Sequence, residues 1–300
     1  MKTPIIALIL LFVFFTVAPP LSPVAAQEKA PAKKKATTPP PTKPPLEPVD
    51  IGTLPEGMER IDLYLLIGQS NMKGRGTMPE EPLRDPRIVM MHKKTDEWFL
   101  ARHPLHLVGD PKTFEGHDNA GVGPGLAFGQ AMAKHDSKAR IGLIPCAVGG
   151  TRISLWQPGA RLYEDAIRRA KLAIKQGPEG KTRIAGAIWL QGEADAKPDL
   201  IPVYADALNA LVAGLRTELG QPHLPFIACT IGEMREGATM QKQINALLLT
   251  LPERSPHTAC VDARYLTSHI GDHVHFDTTA QNQIGRRFAK EMIGLQTPNP

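Results

Sequence analysis

Ser70, Asp272 and His275 have the residue types that serine-based acyl transfer requires. A serine hydroxyl is a weak nucleophile until a histidine accepts its proton and a carboxylate holds that histidine in the right tautomer. Asp272 stands three positions before His275, so both side chains lie on one short loop and can reach each other. The sequence therefore offers a nucleophile, a base and an acid for one site.

Ser70 stands directly after an apolar run, at a predicted junction between a strand and a helix. Helix N-termini supply backbone donors and partial positive charge, which the oxyanion of an ester's tetrahedral intermediate requires. The nucleophile elbow G-x-S-x-G of the α/β hydrolases is absent, because position 72 is Met. We therefore expect serine chemistry on a different α/β fold.

Short apolar runs alternate with longer helical patterns from about residue 60, which is typical of a parallel sheet covered by helices on both faces. Their continuous apolar character indicates strands buried on both sides. The predicted fold is a three-layer α/β/α sandwich with a central parallel sheet. The predicted strands are Ile61–Ile67, Ile88–Met91, Ile141–Val148, Ile184–Leu190 and Pro225–Ile231, with a further candidate at Thr258–Val261.

Apolar residues at helical spacing predict three of the covering helices. The patterns run from Leu162 to Ile174, from Tyr204 to Leu219, and from a cap at Asp277 or Thr278 to Met292. Residues 92–120 show no such pattern and are predicted to form a long irregular loop. Loops of that length in compact domains are often functional.

Polar and glycine-rich segments follow the predicted strands at their carboxyl ends, where ligands bind in open parallel sheets. We expect four of these segments to converge on one rim of the sheet. They are Gly68–Met72, Gly149–Thr151, Gln191–Glu193, and the late loop that holds Asp272 and His275.

Five short motifs span about residues 60 to 293. They are Gly68–Met72, Val122–Gly125 with Phe128, Gly149–Thr151 followed by Trp156, Trp189–Glu193 with Asp195, and Asp272-x-x-His275-Phe276. Their residues and their order resemble the sialate O-acetylesterase-like group of the SGNH hydrolase superfamily, which includes the acetylxylan esterases of carbohydrate esterase family 6. This resemblance implies an SGNH (flavodoxin-like) α/β/α domain that needs no metal or organic cofactor.

The resemblance also implies the roles of individual residues. Ser70 would be the nucleophile, His275 the general base and Asp272 the acid that orients it. The oxyanion hole would combine the backbone N–H of Ser70, a backbone N–H of the turn Gly149–Gly150 and the side-chain amide of Gln191. Many relatives in the wider superfamily carry an asparagine at the position of Gln191.

Three residues near this rim have competing interpretations. Glu193 follows the fourth predicted strand and is an alternative acid for His275, since third members of such triads are placed variably. Arg152 and Trp156 lie just past the glycine turn, where an aromatic face can stack on a sugar ring; packing in the core is the competing explanation.

The long loop also raises the question of a metal site, which its residue spacing does not favour. It carries His103, His106, His117 and Asp118, and their spacing matches no zinc signature. We therefore expect a loop at the substrate rim and no metal.

Residues 1–26 have the features of a cleaved export signal: Lys2, an apolar run Ile5–Val17, and small residues before Gln27. An uncleaved membrane anchor is the alternative, and it is disfavoured because this run is shorter than the ~20 apolar residues that span a bilayer. We expect a secreted or periplasmic protein without stable membrane insertion.

The segment 27–50 is predicted to be a disordered linker rich in lysine and proline, and 51–300 the esterase domain. Residues 1–46 contain six lysines and one glutamate, which accounts for the whole-chain net charge of +5. The remaining chain is balanced, so we predict no nucleic-acid partner.

The expected function is hydrolysis of O-acetyl groups on a saccharide through an acyl-enzyme. One rival is a lipid or thioester hydrolase on the same fold, but such an enzyme needs a long apolar channel, and only 5% of the residues are aromatic. The other rival is a non-catalytic, exported sugar-binding module. Such a module has no physical need for Ser70, Asp272 and His275 together.

Overall fold

Strand β1 (Arg60–Gly68) lies in the middle of a seven-stranded sheet in the computed structural model, which describes residues 44–80 and 84–297. All of its residues after Arg60 are buried, as its largely apolar sequence predicted, and the buried Asp62 among them forms an ion pair with Arg183. It pairs in parallel with β4 (Ala139–Pro145) on one side and with β5 (Thr182–Leu190) on the other.

The other strands extend the sheet outward in the order β3-β2-β4-β1-β5-β6-β7. They are β2 (Ile88–Met91), β3 (Trp98–Leu100), β6 (Phe226–Cys229) and β7 (Thr258–Val261). All neighbouring strands are parallel except β2 and β3. The predicted parallel sheet is confirmed, and one correction concerns the long loop: its first part forms the short edge strand β3.

Helices cover both faces of the sheet, which confirms the three-layer sandwich. They are α1 (Ser70–Lys73), α2 (Gly125–His135), α3 (Arg161–Gln176), α4 (Ile201–Glu218), α5 (Thr239–Leu249), α6 (Leu251–Arg254) and α7 (Thr278–Gln296), with a 3-10 turn at Ile153–Trp156. Apolar residues of α3, α4 and α5 share one core cluster, and those of α2 and α7 share the other.

Two local features explain how α7 is placed. The Asp277 side chain accepts a hydrogen bond of 2.9 Å from the Ala280 N–H, so the cap is Asp277, the first of the two residues that the sequence indicated. Gly285 lets α7 approach α2 closely, because a Cβ there would lie 2.2 Å from the Pro124 carbonyl oxygen. The last helix is thereby fixed directly after the loop that holds Asp272 and His275.

The described residues begin within the predicted linker, whose last part belongs to the folded unit. Val49 N–H donates to the Trp98 carbonyl and Leu100 N–H to the Glu47 carbonyl, both at 2.9 Å, so this segment runs beside β3. The predicted signal segment 1–26 lies outside the described residues. Among the described helices, none has the length and apolar character needed to cross a bilayer.

Candidate active site

Ser70, His275 and Asp272 form a continuous chain of hydrogen bonds at the carboxyl end of β1. The distance from His275 Nε2 to Ser70 Oγ is 2.8 Å, and that from His275 Nδ1 to Asp272 Oδ2 is 2.5 Å. The side chains of His275 and Asp272 are 21% and 40% exposed. The fold thus brings together residues that are 205 positions apart, at a place that solvent reaches.

Asp272 also shapes the loop that carries the histidine. Its Oδ1 accepts hydrogen bonds from the backbone N–H groups of Val274, at 3.0 Å, and His275, at 2.9 Å. Burial opposes ionisation of this carboxyl, but these bonds and the imidazole outweigh burial and hold the pKa of Asp272 well below its usual value. An ionised Asp272 accepts from Nδ1–H of His275, which leaves Nε2 free to take the Ser70 proton.

The strand before the serine requires glycine at its last position. Gly68 has a φ of +131°, and a Cβ there would lie 2.3 Å from the Leu190 carbonyl oxygen. Gly68 pairs with Leu190 across the sheet, so the chain leaves β1 and β5 at neighbouring points. This places the segment around Ser70 beside the segment that begins at Gln191.

The glycine turn after β4 lies next to Ser70. A Cβ on Gly149 would be 3.7 Å from the Ser70 Cβ, and Gly150 adopts a φ of +71°. Within the described ranges, no hydrogen bond engages the backbone N–H groups of Ser70, Gly149 or Gly150. These N–H groups are therefore free to serve as donors at this rim.

The side-chain amide of Gln191, which the resemblance places in the oxyanion hole, is engaged in other hydrogen bonds. Its Nε2 donates to the Thr151 carbonyl at 2.9 Å and to Asp195 Oδ2 at 2.5 Å, and its Oε1 accepts from the Tyr204 hydroxyl at 3.1 Å. Both amide hydrogens are used in a fully buried position. In this geometry Gln191 holds the backbone of Thr151, directly after the glycine turn, and has no amide hydrogen left for an oxyanion.

The two residues beyond the glycine turn differ in their exposure. Trp156 is fully buried, packs edge-on against Trp189 with ring centroids 5.5 Å apart, and donates from Nε1 to Thr151 Oγ1 at 3.4 Å. It has no free face for a sugar, so packing is the explanation that the structure supports. Arg152 is exposed and remains available at the rim.

Within the described residues, Glu193 makes no hydrogen bond to the imidazole ring, whose Nδ1 is bound to Asp272. Its Oε1 instead accepts a hydrogen bond of 2.5 Å from Asn71 Nδ2, and its Oε2 is shut off from solvent without a hydrogen-bond partner. Burial raises the pKa of the Glu193 carboxyl, against the opposing effect of the Asn71 hydrogen bond.

Asn71 is a residue of this site that our reasoning from the sequence missed. It is fully buried; its Nδ2 also donates to the Val274 carbonyl and its Oδ1 accepts from the Phe276 N–H, both at 3.1 Å. The sequence feature that could have identified Asn71 is its polar side chain directly after Ser70, within the motif Gly68–Met72.

The long loop is fastened to the segment after Ser70 by two further contacts. Lys73, which is buried, forms an ion pair with Asp118, and Arg75 Nη1 donates to the Asn119 carbonyl at 2.7 Å. The end of the loop thus borders the rim. No group of three or more metal-ligating side chains occurs in the part of the chain that the structure describes.

Comparison with known proteins identifies the family. Residues 60–294 match the family described as carbohydrate esterase, sialic acid-specific acetylesterase. The chain is 32% identical over 249 residues to a probable carbohydrate esterase of Arabidopsis thaliana, covering 77% of this chain and 90% of the relative.

An X-ray structure of an Arabidopsis thaliana protein matches with a TM-score of 0.68 and 29% identity, over 78% of this chain and 98% of that one. The crystal structure of NanS, at 16% identity and a TM-score of 0.64 over 79% of this chain and 98% of that one, shows the same fold. The chain therefore belongs to the carbohydrate esterase family of sialic acid-specific acetylesterases and is an ester hydrolase of the carbohydrate O-acetylesterase class.

Proposed function

We propose that this protein removes O-acetyl groups from a saccharide through a covalent acetyl-enzyme on Ser70. The observation that supports this most directly is the hydrogen-bonded chain from Ser70 Oγ through His275 to Asp272. Its order is that of a nucleophile, a base and an orienting acid.

In the first step, Ser70 Oγ attacks the acetyl carbonyl carbon while His275 Nε2 takes the serine proton. The tetrahedral intermediate collapses as His275 returns that proton to the departing sugar oxygen, which leaves acetate esterified to Ser70. A water molecule then attacks this ester while His275 takes its proton. The second tetrahedral intermediate collapses, His275 returns the proton to Ser70 Oγ, and acetate is released. Asp272 stays ionised throughout and stabilises the imidazolium.

We assign the oxyanion hole to backbone groups alone. The N–H of Ser70 and those of Gly149 and Gly150 lie at the same rim and are free of other hydrogen bonds among the described residues. Backbone donors that are already fixed in place stabilise the developing charge without reorganisation. Gln191 is left out because both of its amide hydrogens are engaged.

The proposed substrate is an acetylated saccharide of the sialate or xylan type. The family description names sialic acid, and the open position of Asp272 and His275 suits an ester group presented on a larger molecule. An apolar cavity of about 840 Å³ lies at the β3 edge beside Val49, Trp98 and Gln176, and none of the three proposed catalytic residues lines it. The lipid-hydrolase alternative therefore gains no support from this cavity.

A substrate panel tests this assignment. We expect turnover of acetylated sialic acid or acetylated xylan, together with an aryl acetate. We expect at least ~10-fold lower kcat/KM for an aryl octanoate, since a methylene that the site does not accommodate costs about 1–3 kcal/mol of transition-state binding. Acetate release by the wild-type domain is the measurement. A preference for the octanoate would support the lipid-hydrolase alternative, and saccharide binding without acetate release would support the binding module.

We also propose that the protein is exported and that mature chains begin at Gln27. This rests on Lys2, the apolar run Ile5–Val17 and the small residues before Gln27. Intact-mass measurement of protein recovered outside the cytoplasm should show the loss of residues 1–26. Recovery with these residues still attached would contradict the proposal and favour a membrane anchor.

A further inference from the structure

We propose that Asn71 and Glu193 are positioning residues that together hold the His275 ring against Ser70. This inference rests on the proposed serine mechanism and adds to it a device that neither the triad nor the oxyanion hole includes. Neither side chain hydrogen-bonds to the imidazole ring. Glu193 acts through Asn71, and Asn71 acts through the backbone of Val274 and Phe276.

The Asn71 side chain binds the backbone on both sides of the proposed base. Its Nδ2 donates to the carbonyl of Val274, one residue before His275, and its Oδ1 accepts from the N–H of Phe276, one residue after it. Asn71 also directly follows Ser70 in the chain. One buried amide therefore links the residue that carries the nucleophile to the loop that carries the base.

The remaining hydrogen bonds to the backbone of Val274 and His275 hold the shape of this loop without tying its backbone to the segment that carries Ser70. Asp272 accepts from Val274 and His275, and Ile270 N–H donates to the His275 carbonyl at 3.0 Å, all within the loop itself. Within residues 44–80 and 84–297, Asn71 is the one side chain that hydrogen-bonds to the backbone of 274–276 from outside the loop. The bond from His275 to Ser70 is then a result of this anchoring.

Glu193 favours one of the two orientations of the Asn71 amide, and Gln281 Nε2, which donates to Asn71 Oδ1 at 3.5 Å, favours the same one. An amide must present its nitrogen to Val274 and its oxygen to Phe276, and a reversed amide would meet both groups with the wrong polarity. Glu193 Oε1 accepts the second hydrogen of Nδ2, which selects the productive orientation. Gln281 adds a donor at 3.0 Å to the Asn71 carbonyl, so the peptide of Asn71 is held as well.

A second asparagine provides a matched control. Asn245 is equally buried; its Oδ1 accepts from the Ile231 N–H at 2.8 Å, and its Nδ2 donates to the Ile231 carbonyl and to Glu233 Oε1, each at 2.9 Å. It thus makes the same kinds of bonds as Asn71, but to a backbone segment that follows β6. Asn71→Asp and Asn245→Asp both replace a buried amide with a carboxyl group. Only the Asn71 amide hydrogen-bonds to the residues on either side of His275.

We expect Asn71→Asp to lower kcat for an aryl acetate at least ~30-fold with KM within ~3-fold, since a displacement near 1 Å in a catalytic group costs about 10²-fold. Asn245→Asp should keep kcat within ~3-fold at a similar loss of melting temperature. Glu193→Leu should lower kcat at least ~10-fold, and Glu193→Gln, which retains an acceptor oxygen for Asn71, should restore most of it.

The rate at which a fluorophosphonate labels Ser70 gives a readout that needs no saccharide. We expect this rate to fall in Asn71→Asp and Glu193→Leu in parallel with kcat, and to stay near the wild-type value in Asn245→Asp and Glu193→Gln. Equal labelling of all folded variants would overturn the positioning role alone. A wild-type protein that neither labels nor hydrolyses an acetyl ester would overturn the serine mechanism and this inference with it. If Asn71→Asp does not fold, the pair Glu193→Leu and Glu193→Gln decides the question.

Discussion

Replacing Ser70 with alanine should lower hydrolysis of a short aryl acetate by at least ~10⁴-fold, as in serine triads generally. The only hydrogen bond of its Oγ within the described residues is the one to His275 Nε2, so the variant loses the nucleophile and little else. We expect an unchanged melting temperature for the same reason. Initial rates and a thermal melt on the same preparation measure both effects.

Ser154→Ala is the control for this variant, because Ser154 is an exposed serine in the 3-10 turn beside the same rim. It should keep full activity. A folded Ser70→Ala protein with activity within tenfold of wild type would contradict the serine mechanism. Loss of that residual activity on addition of a chelator would then point to a metal-dependent mechanism.

Replacing Asp272 with asparagine should lower kcat by at least ~10²-fold. An amide nitrogen facing His275 Nδ1 would donate to it, which places the ring proton on Nε2 and prevents that atom from taking the Ser70 proton. The variant also loses the charge that stabilises the imidazolium, although an amide oxygen can still accept from the loop N–H groups now bound to Oδ1. Single-turnover and steady-state rates on an aryl acetate give the size of the effect.

Glu193→Gln is the comparison that identifies the orienting acid. Because Glu193 hydrogen-bonds to Asn71 and not to the imidazole, we expect this variant to lose less than ~10-fold in kcat. The reverse ranking, with Glu193→Gln the more damaged variant, would assign the orienting role to Glu193. The two substitutions make the same change, from a carboxyl group to an amide of the same size.

The sequence by itself determined the layered architecture and the rim. Runs such as Ile61–Ile67, which is apolar apart from Asp62 and Tyr64, and Ile184–Leu190 appear as buried strands because helices cover both faces of the sheet. The pairing of Asp272 with His275 was also predictable, since they stand three positions apart on one short loop. The cap at Asp277 followed from local hydrogen bonding in the same way.

Contacts between separate strand ends were decided only by the tertiary structure. The sequence suggested Gln191 as an oxyanion donor, but in the structure its amide donates to Thr151 and Asp195. Trp156 was equally suited to a sugar or to the core, and the structure packs it against Trp189. The link between Asn71 and Glu193 joins positions 122 residues apart. Periodicity tells which face of an element is buried. The partner of a polar side chain at a strand end depends instead on how close the neighbouring loops come. That distance is set only when the sheet, its helices and the late loop pack together.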